Sequence, residues 1–348
     1  MGARGWRRRG ARLLVATGLV GLAVLVPAAP AAAHEPGAAA SDQRVRIVAI
    51  TPPVPGLTVR YVEAGALLEL RNDTGRTIEV LGYLGEPLLR LGPDSVVRNT
   101  AAPSWTVNEL PPAPVPAPAP QWRPDRDGST ARWHDLRTDW QGRPPAAVLA
   151  DPQRVHRVRD WRVPLRDGDT AIEIVGTLDF LPPPPVVWWW VGVVLLALAV
   201  GVGGFASVVV RAAGALVLAA AALGYATAVA MVNGDPGVGG FLVAMISQFW
   251  LMLAGIAALV AGVAHLRRRP AGDFLGALAG AAGVMAGINA AEVFTRAVTL
   301  VPGADRWVRY AVLLVLGCAI GLVGGGVLRL VRESRVQPAN NNSSPTTV

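Results

Sequence analysis

Apolar and polar positions follow one rhythm in the first half of this chain and another in the second. Between residues 45 and 110 they alternate in short runs, at 45–50, 57–62, 66–70, 77–81 and 88–91, rich in β-branched residues and leucine. A period of two is what a strand with one buried face requires. Turn formers separate the runs: Pro52-Pro53, Gly65, Asn72-Asp73-Thr74-Gly75 and Gly92-Pro93-Asp94. Asn72-Asp73-Thr74 also spells a glycosylation sequon, but its place before Gly75 reads as a hairpin turn. Two further strands are predicted at 160–165 and 171–180. They end a stretch, 121–179, that could fold alone only marginally without disulfides or metal, so they are expected to complete the sheet of the first half. The whole reads as an all-β, Ig-like sandwich domain over 34–180, with a proline-rich insertion at 111–120 in extended polyproline II form.

From residue 186 to 331 the chain is almost continuously apolar. A membrane-crossing helix needs about 20 such residues, and the block divides into five: 186–210, 212–232, 241–265, 274–298 and 308–331. A stiff proline hinge, 181–185, leads into it. Trp188-Trp189-Trp190 marks the outer end of the first span, because an indole ring buries its body and keeps its N–H wet at the interface. The fold class expected is therefore a membrane α-helical bundle preceded by an extracytoplasmic β-sandwich, with a disordered tail at 332–348.

The N-terminus supplies the direction. Arginines at 4, 7, 8, 9 and 12, an apolar run to Val26 and Ala31-Ala32-Ala33 read as a secretory signal, 1–33, whose removal would leave His34 first; the alternative is a run retained as a sixth membrane helix, for which it is short. Five crossings that begin outside end inside. Arg211, Arg267-Arg268-Arg269, Arg329, Arg332 and Arg335 then fall in the cytoplasm, as the positive-inside rule asks, and the outer loop with Asp235 carries no arginine. Arg306 and Arg309 break the rule. The expected location is the plasma membrane, with the C-terminus cytoplasmic.

Composition narrows function by exclusion. The basic residues number 32, all arginine, which suits a GC-rich genome; no basic run is interleaved with stacking aromatics, so nucleic acid is not an expected partner. There is one cysteine, Cys318, hence no disulfide. No nucleophile elbow, zinc-protease motif, phosphate loop or paired-cysteine motif is present, and no enzyme activity is expected.

Three constellations could carry chemistry. In the fourth span Met285, Asn289, Glu292 and Arg296 recur at helical spacing, with Glu292 four residues before Arg296; in the third, Met245, Gln248 and Met252 do the same. Charges in a bilayer need a reason. Two are open: a site for an ion, proton or small polar ligand, with Met245, Met252 and Met285 as soft ligands for Cu(I), or a self-satisfied salt bridge gluing two helices. Outside, a processed His34 could chelate copper through its amine and ring, with His134 as partner and Asp135 as orienting acceptor or ligand; the alternative is a leader remnant and a surface histidine. Finally, Trp122, Trp133, Trp140 and Trp161 are threaded with arginines and aspartates, either to bind an envelope polymer or partner protein or to build a core with salt-bridged rims.

Ala31-Ala32-Ala33-His34, Arg132-Trp133-His134-Asp135-Leu136-Arg137 with Trp140, Arg157-Val158-Arg159-Asp160-Trp161 and Gly176-Thr177-Leu178-Asp179 together resemble an uncharacterised family of actinobacterial membrane proteins. The resemblance spans the exterior domain and the layout of the helices, and implies architecture and organism type but no activity. The N-terminal histidine is similar to that of copper-resistance C proteins, which are exported copper-binding domains. The functions expected are thus ligand or metal binding, with copper foremost, by an exterior domain on a lipid-embedded anchor, or a structural or assembly role in the envelope. A transporter subunit comes third, since five spans without repeats are few for a carrier.

Overall fold

The computed structural model describes residues 40–107 and 118–335. The strands are β1 (Gln43–Thr51), β2 (Leu57–Val62), β3 (Leu67–Asn72), β4 (Ile78–Leu81), β5 (Pro87–Leu91), β6 (Ser95–Asn99), β7 (Trp122–Asp127), β8 (Thr130–His134), β9 (His156–Asp167) and β10 (Thr170–Phe180), with a short helix α1 (Ala146–Ala150) before β9. They form two antiparallel sheets, one ordered β1-β10-β9-β4-β5-β6-β7 and one ordered β2-β3-β8. Leu68 and Leu70 of the small sheet share one core with Ile78, Leu89, Leu165 and Ile174 of the large one. A seven-plus-three arrangement is not the four-plus-three of an immunoglobulin constant domain.

β10 pairs with β1 on one side and β9 on the other, and β9 pairs with β4, so the last two strands join the sheet of the first half. Gly176 makes this close approach possible: a Cβ there would lie 2.0 Å from the ring of Trp161, its cross-strand partner. β6, β7 and β8 were not legible as strands. β7 holds Pro124 and four charges, which an edge strand tolerates, and a register shift opposite Val96 and Val97 accommodates them. Asn72 to Gly75 is a crossover between the sheets and not a hairpin, because β3 and β4 do not pair. Its amide is buried, donating to the carbonyls of Arg76 and Leu91 at 2.7 Å.

The helices are α2 (Val186–Ala206), α3 (Val208–Asn233), α4 (Val238–Ser247), α5 (Phe249–Leu266), α6 (Ala271–Ala290), which runs on as a 3-10 turn (Ala291–Phe294), and α7 (Asp305–Arg335). Five of these segments are long and apolar enough to cross a membrane, α4 being too short. α7 packs against α2, α3 and α6, and α5 lies between α3 and α6. Their contacts are lined by small residues. A Cβ on Gly283 would sit 2.8 Å from that of Ala319, and one on Gly325 would sit 2.9 Å from the Gly201 carbonyl, so these backbones touch. Gly324, by contrast, faces open space.

Three of the expected spans are redrawn. The first ends at Ala206, where Ser207 turns extended and leads at once into α3; Arg211 and Arg329 donate to the freed carbonyl of Gly204, at 2.9 and 3.2 Å. The third is broken at Gln248, which has left the helical region with ψ at 39°. The fourth leaves the helix after Phe294. Arg309, a residue of α7, supplies the reason: its guanidinium donates to the carbonyls of Val293, Arg296 and Ala297 at 2.7–2.9 Å, ending the ladder there. The proline segment after β10 is no free swivel, since Leu181 donates to the Asp42 carbonyl and packs with Ala64, Ala297 and Val298.

Candidate functional site at the boundary of sheets and helices

The β domain rests on the ends of α3 and α6. Its first residues form the nearer seam. Ser41 makes an antiparallel bridge with Val298, at 3.0 and 2.7 Å. The Ala40 amide donates to Glu292, and Asp42 accepts from Arg296 Nη1 and the Ala297 amide. The farther seam is built on Glu69, buried on β3 and accepting from both Arg60 and its cross-strand neighbour Arg132. Arg132 reaches on to the last carbonyls of α3, donating to Asn233 and Gly234 at 2.8 and 2.6 Å, and lies 3.1 Å from Asp235. A guanidinium at a helix C-terminus meets the negative end of the dipole. Asn233 joins three elements: its oxygen accepts from the Glu63 amide at 2.7 Å, and its nitrogen donates to Leu300. Glu63 and Ala64 hold positive φ, 55° and 57°, a strained pair fixed where Ala64 meets Ala297 and Val298.

Two clefts open along this boundary. One, of about 450 Å³, lies between Arg60, Glu69 and Arg71 of the small sheet and Met231, Asp235 and Phe241 of the helices. The other, of about 620 Å³, runs between β1 and β2 and is floored by the loop between the last two spans; Arg44, Arg46, Arg60, Tyr61, Pro302 and Asp305 line it. The Tyr61 hydroxyl is buried without a hydrogen-bond partner among the described residues. Burial first, and the charge of Asp135 second, push its pKa far above the ordinary phenol value, so it stays protonated.

The residues expected to carry chemistry are placed differently. Asp135 is fully buried and committed: one oxygen accepts from the Arg137 amide and Nε, the other from Arg137 Nη2 and Trp133 Nε1. Burial alone would raise its pKa, but the Arg137 guanidinium and these hydrogen bonds hold it below the usual carboxylate value. It neither orients His134 nor has an oxygen left for a metal. Tyr83 lies over Arg137, and burial, followed by Asp135, pushes its phenol up to about 12. His134 is exposed, with Nδ1 2.9 Å from the Ala66 carbonyl and Nε2 3.9 Å from Asp139. His34 lies outside the described residues, and among those residues no group of three His, Cys, Asp or Glu is disposed to hold a metal.

In the helical block the expected stripe does not form. An i,i+4 ion pair needs an unbroken α-helix, and the chain departs from one at Ala291, so Glu292 and Arg296 turn to Ala40 and Asp42 instead of to each other. Asn289 is exposed, and Gln248 Nε2 lies 3.5 Å from its neighbour Ser247. Met245 and Met252 fill gaps beside the helical core, and Met285 is half-buried. The tryptophans serve largely as structure. Trp133 and Trp161 are buried, while Arg90 and Arg159 cover Trp122 and Trp140. What sequence reasoning missed is the docking set Arg60, Glu69, Arg132 and Asn233. One signal pointed to it: a glutamate in the middle of Leu67-Leu68-Glu69-Leu70.

Comparison of the chain with protein-family models, curated proteins and solved structures finds no match.

Proposed function

We propose that the protein is a non-enzymatic binding protein of the plasma membrane, with its β domain extracytoplasmic, its C-terminus cytoplasmic and its ligand held where the domain meets the helices. The observation that carries this is the docking of the domain through Arg132 and Asn233, which fixes one pose and leaves two clefts built jointly by sheet and helix. Binding sites favour such junctions. Orientation follows from charge: the domain meets the loops after α3 and α6, whereas Arg211, Arg267, Arg268, Arg269 and Arg329 belong to the opposite ends of the spans.

Topology is checked in a Cys318→Ala background with single cysteines at Val48, which is exposed, and at Arg268. A membrane-impermeant maleimide should label the first in intact cells and the second only after lysis; the reverse pattern overturns the orientation. Arg132→Ala should expose residues 181–185 to protease and reproduce the phenotype of a gene deletion at normal protein abundance. A freed domain with wild-type behaviour would show that the fixed pose serves no function.

A copper reading is favoured by one observation. His134 donates through Nδ1 to the Ala66 carbonyl, which leaves Nε2 as the lone-pair nitrogen of the metal-binding tautomer. The partner it needs is a processed His34, without Asp135. Titration of the full chain with Cu(II) should give weaker binding in His134→Ala, and equal affinity would end this reading.

A further inference from the structure

At the ends of the spans remote from the β domain, four helices are tied together through two acceptor oxygens. The carbonyl of Gly204, freed where α2 ends, accepts from Arg211 Nη1 at the start of α3 and from Arg329 Nη1 on α7, at 2.9 and 3.2 Å. Asp273 Oδ1, in the first turn of α6, accepts from Arg329 Nη2 at 3.0 Å and lies 3.6 Å from Arg211 Nε. Both guanidiniums are largely buried, and Arg211 Nε has no hydrogen-bond partner among the described residues. Two cations thus share one carboxylate. Behind this clasp, in the last turn of α5, His265 is 4% exposed and makes no side-chain hydrogen bond or ion pair among the described residues. A buried polar group left unpaired is uncommon and calls for an explanation. Two glycines of α6 make room for the ring: a Cβ on Gly272 would lie 2.8 Å from Nδ1, and one on Gly276 would lie 3.5 Å from Nε2.

The charges that act on His265 come from each neighbouring helix: Arg211 of α3, Asp273 of α6 and Arg329 of α7, while α2 brings only its carbonyl. Arg267, Arg268 and Arg269 follow it in its own chain and are exposed. A neutral imidazole leaves the balance of the clasp unchanged. A protonated one is a third cation around a single carboxylate, and it faces the first turn of α6, whose unpaired amides carry positive partial charge. Histidine ordinarily changes charge between about pH 5 and 8. We propose that His265 is a proton-operated release of this clasp: proton uptake repels Arg211 and Arg329 from Asp273 and frees the start of α6 from α3 and α7. The junction loosened with it is Ser207, the extended residue between α2 and α3, because the same two arginines hold the Gly204 carbonyl beside it. Acid opens these ends and neutral pH closes them. The device goes beyond ligand binding at the domain boundary and does not depend on it.

The test uses the full chain with Cys318→Ala in phosphatidylcholine nanodiscs, spin-labelled through cysteines at two exposed positions, Ala206 at the end of α2 and Ala271 at the start of α6. Double electron–electron resonance reads the distance between them. From about pH 8 to about pH 5 the population at a longer distance, relative to the shorter one, should rise roughly tenfold, a coupling of ordinary size between a bound ligand and a conformation. His265→Gln, uncharged throughout, should keep the short distance at both ends of the range. His134→Gln with His156→Gln alters the two histidines of the β domain and should leave the transition in place, which assigns it to His265 even where the glutamine variant does not fold. One distance at both pH values in the unsubstituted histidine background overturns the proposal. So does a transition that persists in folded His265→Gln, or one that disappears in the double variant.

Discussion

The two halves of the molecule bury different kinds of side chain. Leu68, Leu70, Ile78, Leu89, Leu91, Leu165 and Ile174 fill the β domain, whereas Ala222, Ala226, Ala254, Ala258, Ala261, Ala279 and Ala319 lie at the centre of the helices. In water each large apolar side chain removed from solvent contributes about 1.5–3 kcal/mol, so a sandwich gains by burying bulk. Lipid tails are as apolar as leucine, and helices within them gain chiefly by close packing, which small residues allow. Polar groups divide in the same way. The β domain buries ion pairs such as Asp135 with Arg137, while in the helices arginines 211, 309 and 329 sit at broken ends and satisfy carbonyls.

The strongest way to break this contrast is at Asp135. Replacing it with alanine leaves Arg137 buried without its partner and should cost about 3–5 kcal/mol, read as lowered resistance of the full chain in detergent to denaturant, followed by tryptophan fluorescence. A loss below 1 kcal/mol would show the pair to be incidental. The same group makes acid the weak point of the domain. Its folded pKa is depressed, so its contribution is full above the unfolded value of about 3.9 and is lost as pH falls through the lower folded value. Asp135→Asn should remove that part of the acid transition.

Next come matched truncations. Leu89→Ala should cost about 2–5 kcal/mol, the sum of a transfer and a cavity contribution. Leu218→Ala, equally buried among the helices, should cost less, because its unfolded reference is lipid rather than water. Equal losses would erase the distinction between the halves. Smaller again is the pair Gly283→Ala and Gly324→Ala. The first forces a methyl into Ala319 and should destabilise by about 1–3 kcal/mol; the second meets open space and should gain up to about 1 kcal/mol from helix propensity. Matching thermal shifts in the two would refute close packing as the source of stability. The smallest effect belongs to Arg296→Ala. Its pair with Asp42 is half exposed, and losing it should cost at most about 1 kcal/mol; a larger fall in thermal stability would make this seam, rather than Arg132, the main latch.

How far these features could be read beforehand depended on their range. The alternation at 57–62 and 88–91 and the apolar segments of the second half report a local fact, which face of an element is buried, and the strands and helices found there follow it. β7 was hidden because edge strands lie outside the rule that makes strands recognisable. The stripe through Glu292 and Arg296 misled for a related reason: its spacing assumed a helix that Arg309, a residue of another helix, brings to an end.

By itself the amino-acid order determined that one half needs a polar solvent and the other an apolar one, and how many membrane-capable segments the second half contains, because free energies of transfer add residue by residue. Which carbonyls end a span, which acid meets which arginine, and the clefts left when sheet settles on helix were decided only in three dimensions. Hydrogen bonds and ion pairs depend on angstrom distances between groups as far apart in the chain as Ala40 and Glu292, and no local pattern encodes those distances.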